Sequence, residues 1–472
     1  MGAPVLPNHR PGIAESHLLL NFTDAGAFHD RSPKMITRGE GCEVIDSDGR
    51  RFIDGLSGLF CTNLGHDFGG EIGEAISRQL SQLVFTPTWS QSHPAAEALG
   101  DRLAQIAAPL GLTRTYLTLG GGESVEAAWK IARQWHIANG QPQRTKAIAR
   151  DLAYHGTSLG ALSFTGLDDC RDPFMPLPVP VTFVSNTNPY RHPLEHNEAA
   201  FTAALLAEVH DAIIAAGTDQ VAMLIAEPIQ NSGGSLTPPA GYWQGLRDLC
   251  TRYGILLVAD ETITGFGRLG EWFGSMRLGA EPDMITFAKG ATGAHAPLGG
   301  VIVSDRVAAP FISGDALYMH GLTFSGHPLT AVAALTTLDI YEREGVFDNV
   351  RALEPRLQAG LEQLRSIPMV GDVRGAGFLW ALEMVRDPDT RDTFTEEEAA
   401  WLLRDELSGH MDRLGLLCRL DDRGEPVIQI SPPLVADEQV LDRIINIVGE
   451  ATESAWATWM RRRPSDVRAG AA

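Results

Sequence analysis

Lys289 closes the apolar run Met284-Ile285-Thr286-Phe287-Ala288, and a glycine follows it. The run has every reason to lie inside the protein, yet it delivers an ammonium there. Either that group snorkels to the surface or it is not free in the working protein. Two further apolar runs end on ionisable groups: "VAMLIAEP" carries Glu227 and "GILLVADE" carries Asp260. A lone acid after an apolar strand is ordinarily a solvated end or the cap of the next helix. Three such ends in one sheet are another matter, because ligands of an open parallel sheet bind beyond the carboxyl ends of its strands. A lysine desolvated at such an edge has a lowered pKa and becomes a nucleophilic amine.

Pyridoxal phosphate (PLP) chemistry needs that set: a lysine to form an imine with the cofactor aldehyde, and an acid to keep the pyridine nitrogen protonated. It also needs a phosphate cradle. In "TYLTLGGGESVEAAWKIARQWHIANG" a strand runs into Gly120-Gly121-Gly122 and then into a helical pattern carried by Val125, Ala128, Trp129, Ala132 and Trp135. Glycines let backbone N–H groups close on an oxyanion, and a helix N-terminus adds its dipole. Alone, the triple glycine is weak evidence and fits a dinucleotide loop or a plain turn as well. It lacks the G-x-G-x-x-G spacing, and no acid ends the next strand, "KAIAR".

The elements that must position these residues follow from the pattern along the chain. "GCEVIDSDGRRFID" has the form of a hairpin about Ser47-Asp48-Gly49. From about residue 94 the chain alternates short apolar runs with helical patterns. The runs are "RTYLTL", "KAIAR", "VTFV", "VAMLIAEP", "GILLVAD", "MITFAK" and "GGVIVS". This predicts a parallel sheet covered on both faces. A helical stretch begins near Pro328, and a smaller α+β region follows with "VRGAGFLWALEM" and "PVIQISPPL" as its strands. The expected domains are residues 1–65 (the N-terminal part of a small domain), 66–327 (a large domain) and 328–472 (the rest of the small domain).

The formal net charge of −21 over 472 residues opposes nucleic acid and anionic membranes. The five cysteines (Cys42, Cys61, Cys170, Cys250, Cys418) are scattered, with no zinc or disulfide spacing, which points to a reducing compartment. The N-terminal stretch lacks the form of a secretory signal, and no run reaches the length of a membrane span. A soluble, cytoplasmic protein of small-molecule metabolism is the expectation. The tail "RRRPSDVRAGAA" is expected to fray.

The motifs "GGGESVEAAWKIAR", "AYHGTSLGA", "IAEPIQNSGG", "LLVADETITGFGRLGEWF", "DMITFAKG", "HGLTFSGHP", "VRGAGFLWALE" and "ISPPLV" occur in order from about residue 40 to residue 440. In this the sequence resembles the class III aminotransferases, PLP enzymes of fold type I, above all the ω-transaminases that use pyruvate as amino acceptor. The resemblance implies an α/β fold with a mostly parallel seven-stranded sheet between helices, plus a smaller α+β domain built from both termini. It also implies a homodimer with shared active sites.

Carried over residue by residue, the resemblance makes Lys289 the aldimine-forming lysine and proton carrier, and Asp260 the partner of the pyridine nitrogen. Thr262 would pack on the ring, where the family usually has valine, and Tyr154 on its other face. Gly121 and Gly122 would bind phosphate through backbone N–H groups. Gln230 would reach the phenolic oxygen, and Thr323 the phosphate bound to the partner subunit. Arg419 would bind the substrate carboxylate, with Arg423 a competitor because the "LDDRGEP" loop is longer than usual. Phe60, Trp89 and Ser232 would line the substrate cavity, and Glu227 either gates an arginine or orients its loop. His155 reads as structural. Trp456 and Trp459 read as core or dimer packing.

The expected reaction moves an amino group from an ω-amino acid or amine (β-alanine, taurine, a diamine or a simple amine) to a keto acid, with pyruvate first. The alternatives are a 2-oxoglutarate enzyme of the ornithine or aminobutyrate type, another PLP reaction such as an aminomutase or a decarboxylating transaminase, and a non-catalytic module. The last leaves Lys289 and Asp260 without a task, as does a dinucleotide enzyme.

Overall fold

Strand-forming runs rich in Val, Ile and Leu are buried on both faces only when helices cover the sheet they build. The computed structural model describes residues 16–23, 33–314 and 316–462. Residues 1–15 of the N-terminal stretch therefore lie outside the described residues, and so does the tail after Arg462. Each of the seven predicted runs forms a strand of one sheet: β4 (Leu112–Thr118), β5 (Lys146–Arg150), β6 (Val181–Val184), β7 (Val221–Ala226), β8 (Leu256–Asp260), β9 (Met284–Phe287) and β10 (Gly299–Ser304). Ahead of them lie β1 (Ile36–Glu40), β2 (Glu43–Asp46) and β3 (Arg51–Asp54). The last two make the hairpin expected about Ser47-Asp48-Gly49.

The sheet order is β4-β10-β9-β8-β7-β5-β6. The β5, β6, β7, β8 and β9 pairs are parallel, whereas β10 is antiparallel to both of its neighbours. The reason is local. The segment between Phe287 and Gly299 holds one 3-10 turn, Lys289–Thr292, too little for the helical crossover that a parallel neighbour needs. The fold is thus mixed α/β, with a seven-stranded, mostly parallel sheet as expected. Residues ending β7, β8 and β9 emerge at one edge.

The C-terminal region forms β11 (Val370–Ala376), β12 (Leu379–Met384), β13 (Leu416–Leu417), β14 (Arg419–Asp421) and β15 (Val427–Ile430). "VRGAGFLWALEM" is a hairpin rather than one strand. Gly377 turns it at φ +57, where an added Cβ would lie 2.4 Å from the Arg268 carbonyl oxygen. β11, β12, β15 and β14 make an antiparallel sheet, and β13 adds to β1-β2-β3 beside β3. Among the described residues one helix, Glu198–Ala216, is long and apolar enough to cross a membrane by length and composition, contrary to the sequence reading. Its Phe201, Leu205, Val209 and Ile213 recur at four-residue spacing and are buried in the core. Trp459 is likewise core, edge-on to Phe394 at 5.2 Å.

Candidate active site

Two adjoining lobes of one cleft lie at the carboxyl edge of the sheet, with volumes of about 480 and 410 Å³. Leu59, Tyr154, Asn231, Ile263 and Lys289 line both.

The first lobe gathers the strand-end residues. Lys289 follows β9 at φ +37, a conformation uncommon for a side-chain-bearing residue, and is half-buried with its chain on the lobe. Burial lowers its pKa, opposed by the negative charge of Asp260. Asp260 is fully enclosed. Burial alone would raise its pKa, but the hydrogen bond and charge of His155, together with the bonds from Thr262 and Thr286, hold the carboxyl below its ordinary value. His155 Nδ1 lies 2.7 Å from Asp260 Oδ2, and Thr286 Oγ1 donates to Oδ1 at 2.9 Å. The Thr262 backbone N–H donates to the same Oδ1 at 3.1 Å. His155 thus does more than hold its loop. It fixes the acid, a contact that sequence reading missed because the two residues lie on separate strand–loop units.

Glu227 also lines this lobe, and burial raises its pKa. Its Oε2 accepts the Asn231 N–H at 3.0 Å and its Oε1 the Tyr154 N–H at 3.5 Å, so it braces two loops. Arg150 Nη2 donates to its backbone carbonyl at 2.5 Å, but no arginine bonds its carboxylate among the described residues.

The helix Gly121–Ala138 points its N-terminus at the lobe, with Gly120 as N-cap and no side-chain cap. Its Val125, Ala128 and Ala132 pack on the sheet. The loop opposite, Gly156-Thr157-Ser158, closes on it. Gly156 has φ +117, and an added Cβ there would lie 2.7 Å from Gly122 Cα. A Cβ on Gly121 would lie 3.0 Å from Thr262. These glycines leave space for backbone alone.

The second lobe brings together Phe60, Ser232, Arg419 and Arg423. Phe60 sits at φ +60 in a loop whose Ser57 and Gly58 are also at positive φ. That loop is held from outside. The buried Arg268 guanidinium donates to Ser57 Oγ and Asn63 Oδ1, and to the carbonyls of Phe378 and Pro432. The Ser232 loop is pinned from the C-terminal sheet by Arg374, which donates to the Gly233 and Gly234 carbonyls, and by Gln429, which donates to that of Asn231. Ser232 Oγ and Asn231 Oδ1 are buried and make no hydrogen bond among the described residues. Leu59, Ser158, Asn231 and Ile263 all line the cleft without having been singled out in the sequence; only their neighbours in motifs pointed to them.

Three expected residues stand elsewhere. Gln230 is fully buried behind the wall, because its backbone pairs in both directions with Leu236 and its Nε2 donates to the Asp151 carbonyl at 2.9 Å. Asn231 takes its place on the lining. Trp89 does not share a cavity with Phe60 within one chain. It is 60% exposed and packs on Gly321 beside a separate cavity with Tyr116 and His320. Thr323 is exposed on the same loop as Gly321 and is outside the cleft of its own chain.

The sequence matches a family model described as aminotransferase class-III over residues 27–452. It is 44% identical to a probable aminotransferase of Mycobacterium tuberculosis, over 94% of this chain and 95% of that one. A putrescine–pyruvate aminotransferase of Pseudomonas aeruginosa is 34% identical, covering 94% and 96%. A diaminobutyrate–2-oxoglutarate transaminase of Halomonas elongata is 36% identical, covering 89% and 90%. Among solved structures, an (S)-enantioselective ω-transaminase from Thermomicrobium roseum superposes with a TM-score of 0.88 at 37% identity, covering 95% of this chain and 97% of that one.

Proposed function

This chain belongs to the class III aminotransferases, which are PLP-dependent, and from that premise we propose that it moves an amino group from an ω-amino acid or amine to pyruvate. The observation that carries the proposal is one continuous cleft with Lys289 and Asp260 in its first lobe and Arg419 and Arg423 in its second.

The residues present fit the cofactor. The uncapped helix N-terminus at Gly121 and the glycine-only contact of Gly156 with Gly122 suit a phosphate bound by backbone N–H groups. Lys289 would anchor the cofactor through Nζ, Asp260 would pair with its ring nitrogen, and Thr262 and Tyr154 would hold its ring. When bound, PLP supplies the aldehyde that takes up the donor's amino group and the protonated ring that draws electrons from the donor carbon.

The protein's own residues do the rest. Lys289 Nζ, with its pKa lowered by burial, would take and return the proton of the donor carbon. Asp260, held ionised by His155, keeps a negative charge where the ring nitrogen's proton must stay. Phe60 and Ser232 shape the space for the donor. Arg419 binds the keto-acid carboxylate. Arg419 and Arg423 converge on one point, Asp421 Oδ2, which suits the single carboxylate of pyruvate better than the two of 2-oxoglutarate.

The working enzyme is a cytoplasmic homodimer in this reading. Thr323 and Trp89 stand on one face outside the chain's own cleft, beside the exposed Leu317, Met319 and Phe324, and an apolar patch of that kind favours a partner. Thr323 of the partner subunit then completes the phosphate site.

The test is the absorbance spectrum of PLP-loaded protein before and after L-alanine. Conversion to the pyridoxamine form with release of pyruvate supports the proposal. An unmoved visible band removes pyruvate, and glutamate with 2-oxoglutarate is tried next.

A further inference from the structure

The second lobe ends where two cations share one anion. Arg419 Nε lies 3.1 Å from Asp421 Oδ2, and Arg423 Nη2 donates to the same oxygen at 2.8 Å. Arg423 Nε donates to Asp421 Oδ1 at 2.9 Å, which makes that pair bidentate. The Asp421 side chain is 4% exposed, while those of Arg419 and Arg423 are 25% and 22% exposed. The neighbouring Asp422 is engaged elsewhere, by Arg404 at 2.8 Å. Arg423 also lies over the Tyr154 ring, 5.8 Å from its centre, so the triad touches a residue of both lobes.

A carboxylate gripped by a guanidinium fork is the geometry that a substrate carboxylate adopts on arginine. Here that position is filled from within the chain. We propose that Asp421 is a resident carboxylate occupying the substrate-carboxylate site of Arg419 and Arg423, that a keto acid binds by displacing it, and that it thereby sets the preference between carboxylate-bearing and uncharged substrates. This rests on the reading of the second lobe as the carboxylate-binding arm.

The physical argument runs through charge balance. With Asp421 in place, the arm ends in a compensated cluster, and an uncharged amine enters without facing bare cations. A carboxylate must compete with a tethered rival that is always present at high local concentration. Remove the aspartate charge and both terms reverse: the carboxylate binds unopposed, and the uncharged amine meets uncompensated, half-buried arginines. Burial pushes the Asp421 carboxyl up to about 6 against the attraction of Arg419, which marks it as a counter-ion held at a desolvation cost and open to replacement.

The experiment is steady-state kinetics of holoenzyme Asp421→Asn, with pyruvate as acceptor and benzylamine as a donor without a carboxylate. The pyruvate KM falls by up to about fivefold, the size of one partly exposed charge-pair interaction, and the benzylamine KM rises. Asp421→Ser, which differs in size but also lacks the charge, shifts both constants in the same directions. If either variant raises both constants or moves neither, Asp421 merely holds the arginines in place and the inference falls. The double variant Arg419→Ala/Arg423→Ala tests the underlying reading separately. An unchanged pyruvate KM there means that the arm is not the carboxylate site. A raised one, with no opposed shift in the Asp421 variants, overturns the resident-carboxylate inference alone.

Discussion

His155 and Asp260 form a buried pair, with Nδ1 2.7 Å from Oδ2. An ionised carboxylate can only accept, so Nδ1–H donates and the tautomer is fixed. The acid is therefore oriented and charge-stabilised by a residue from a different loop. His155→Ala keeps PLP bound and slows the donor half-reaction by about ten- to a hundredfold, the loss expected from one charge-assisted hydrogen bond. Single-turnover absorbance with a fixed donor measures it. A rate within twofold of wild type removes His155 from the mechanism.

Lys289→Ala lowers turnover by at least about a thousandfold, since both covalent anchoring and proton carriage are lost. Its PLP complex lacks the visible band of the lysine-bound cofactor. A band that persists after dialysis of this variant places the anchor elsewhere.

Gly156→Ala weakens the cofactor site without touching the lysine. The backbone at φ +117 and the 2.7 Å approach to Gly122 Cα leave no place for a methyl group, at a cost of about 1–3 kcal/mol. The dissociation constant of PLP from the apoenzyme, followed by fluorescence, rises by about tenfold or more. Equal affinity in both proteins would show that the cradle is elsewhere.

The pH dependence of keto-acid binding follows Asp421. The groups facing it are Arg419, Arg423 and Asp422 on its own hairpin, with Tyr154, Cys170 and Lys289 across the lobe. As pH falls through about 6 its carboxyl gains a proton and releases the arginines, so the pyruvate KM decreases. The sign for stability agrees: a carboxyl raised by folding favours the folded chain on the acid side, and that contribution is lost as pH rises through the folded value. Asp421→Asn gives a flat KM profile between pH 5 and pH 8, on the order of the range spanning this titration. A slope that survives the substitution belongs to another group.

The chemistry of the first lobe was legible because strand ends are local. An apolar run followed by an ionisable residue states both its burial and its edge, as at Asp260 and Lys289. The seven runs gave the sheet, while the reversal of β10 depended on the length of the segment before it. Contacts between distant segments had no such signal. Nothing near His155 announces Asp260, and nothing near Ser57 announces Arg268. Gln230 sits in a motif, yet it is absent from the cleft lining: its Nε2 donates to the Asp151 carbonyl, while its Oε1 has no partner among the described residues. Trp89 and Thr323 face away from their own cleft, and a single sequence does not say which chain a side chain serves.

The loop that carries Phe60 is fastened at both ends to the far end of the chain: the Ser57 hydroxyl donates to the Ser431 carbonyl, and the Leu434 N–H to that of Asn63. During synthesis the strands bearing Asp260 and Lys289 therefore leave the ribosome well before the partners that set this wall. A chain that stops before Ser431 would therefore carry both Asp260 and Lys289 and yet lack both anchors of the Phe60 loop.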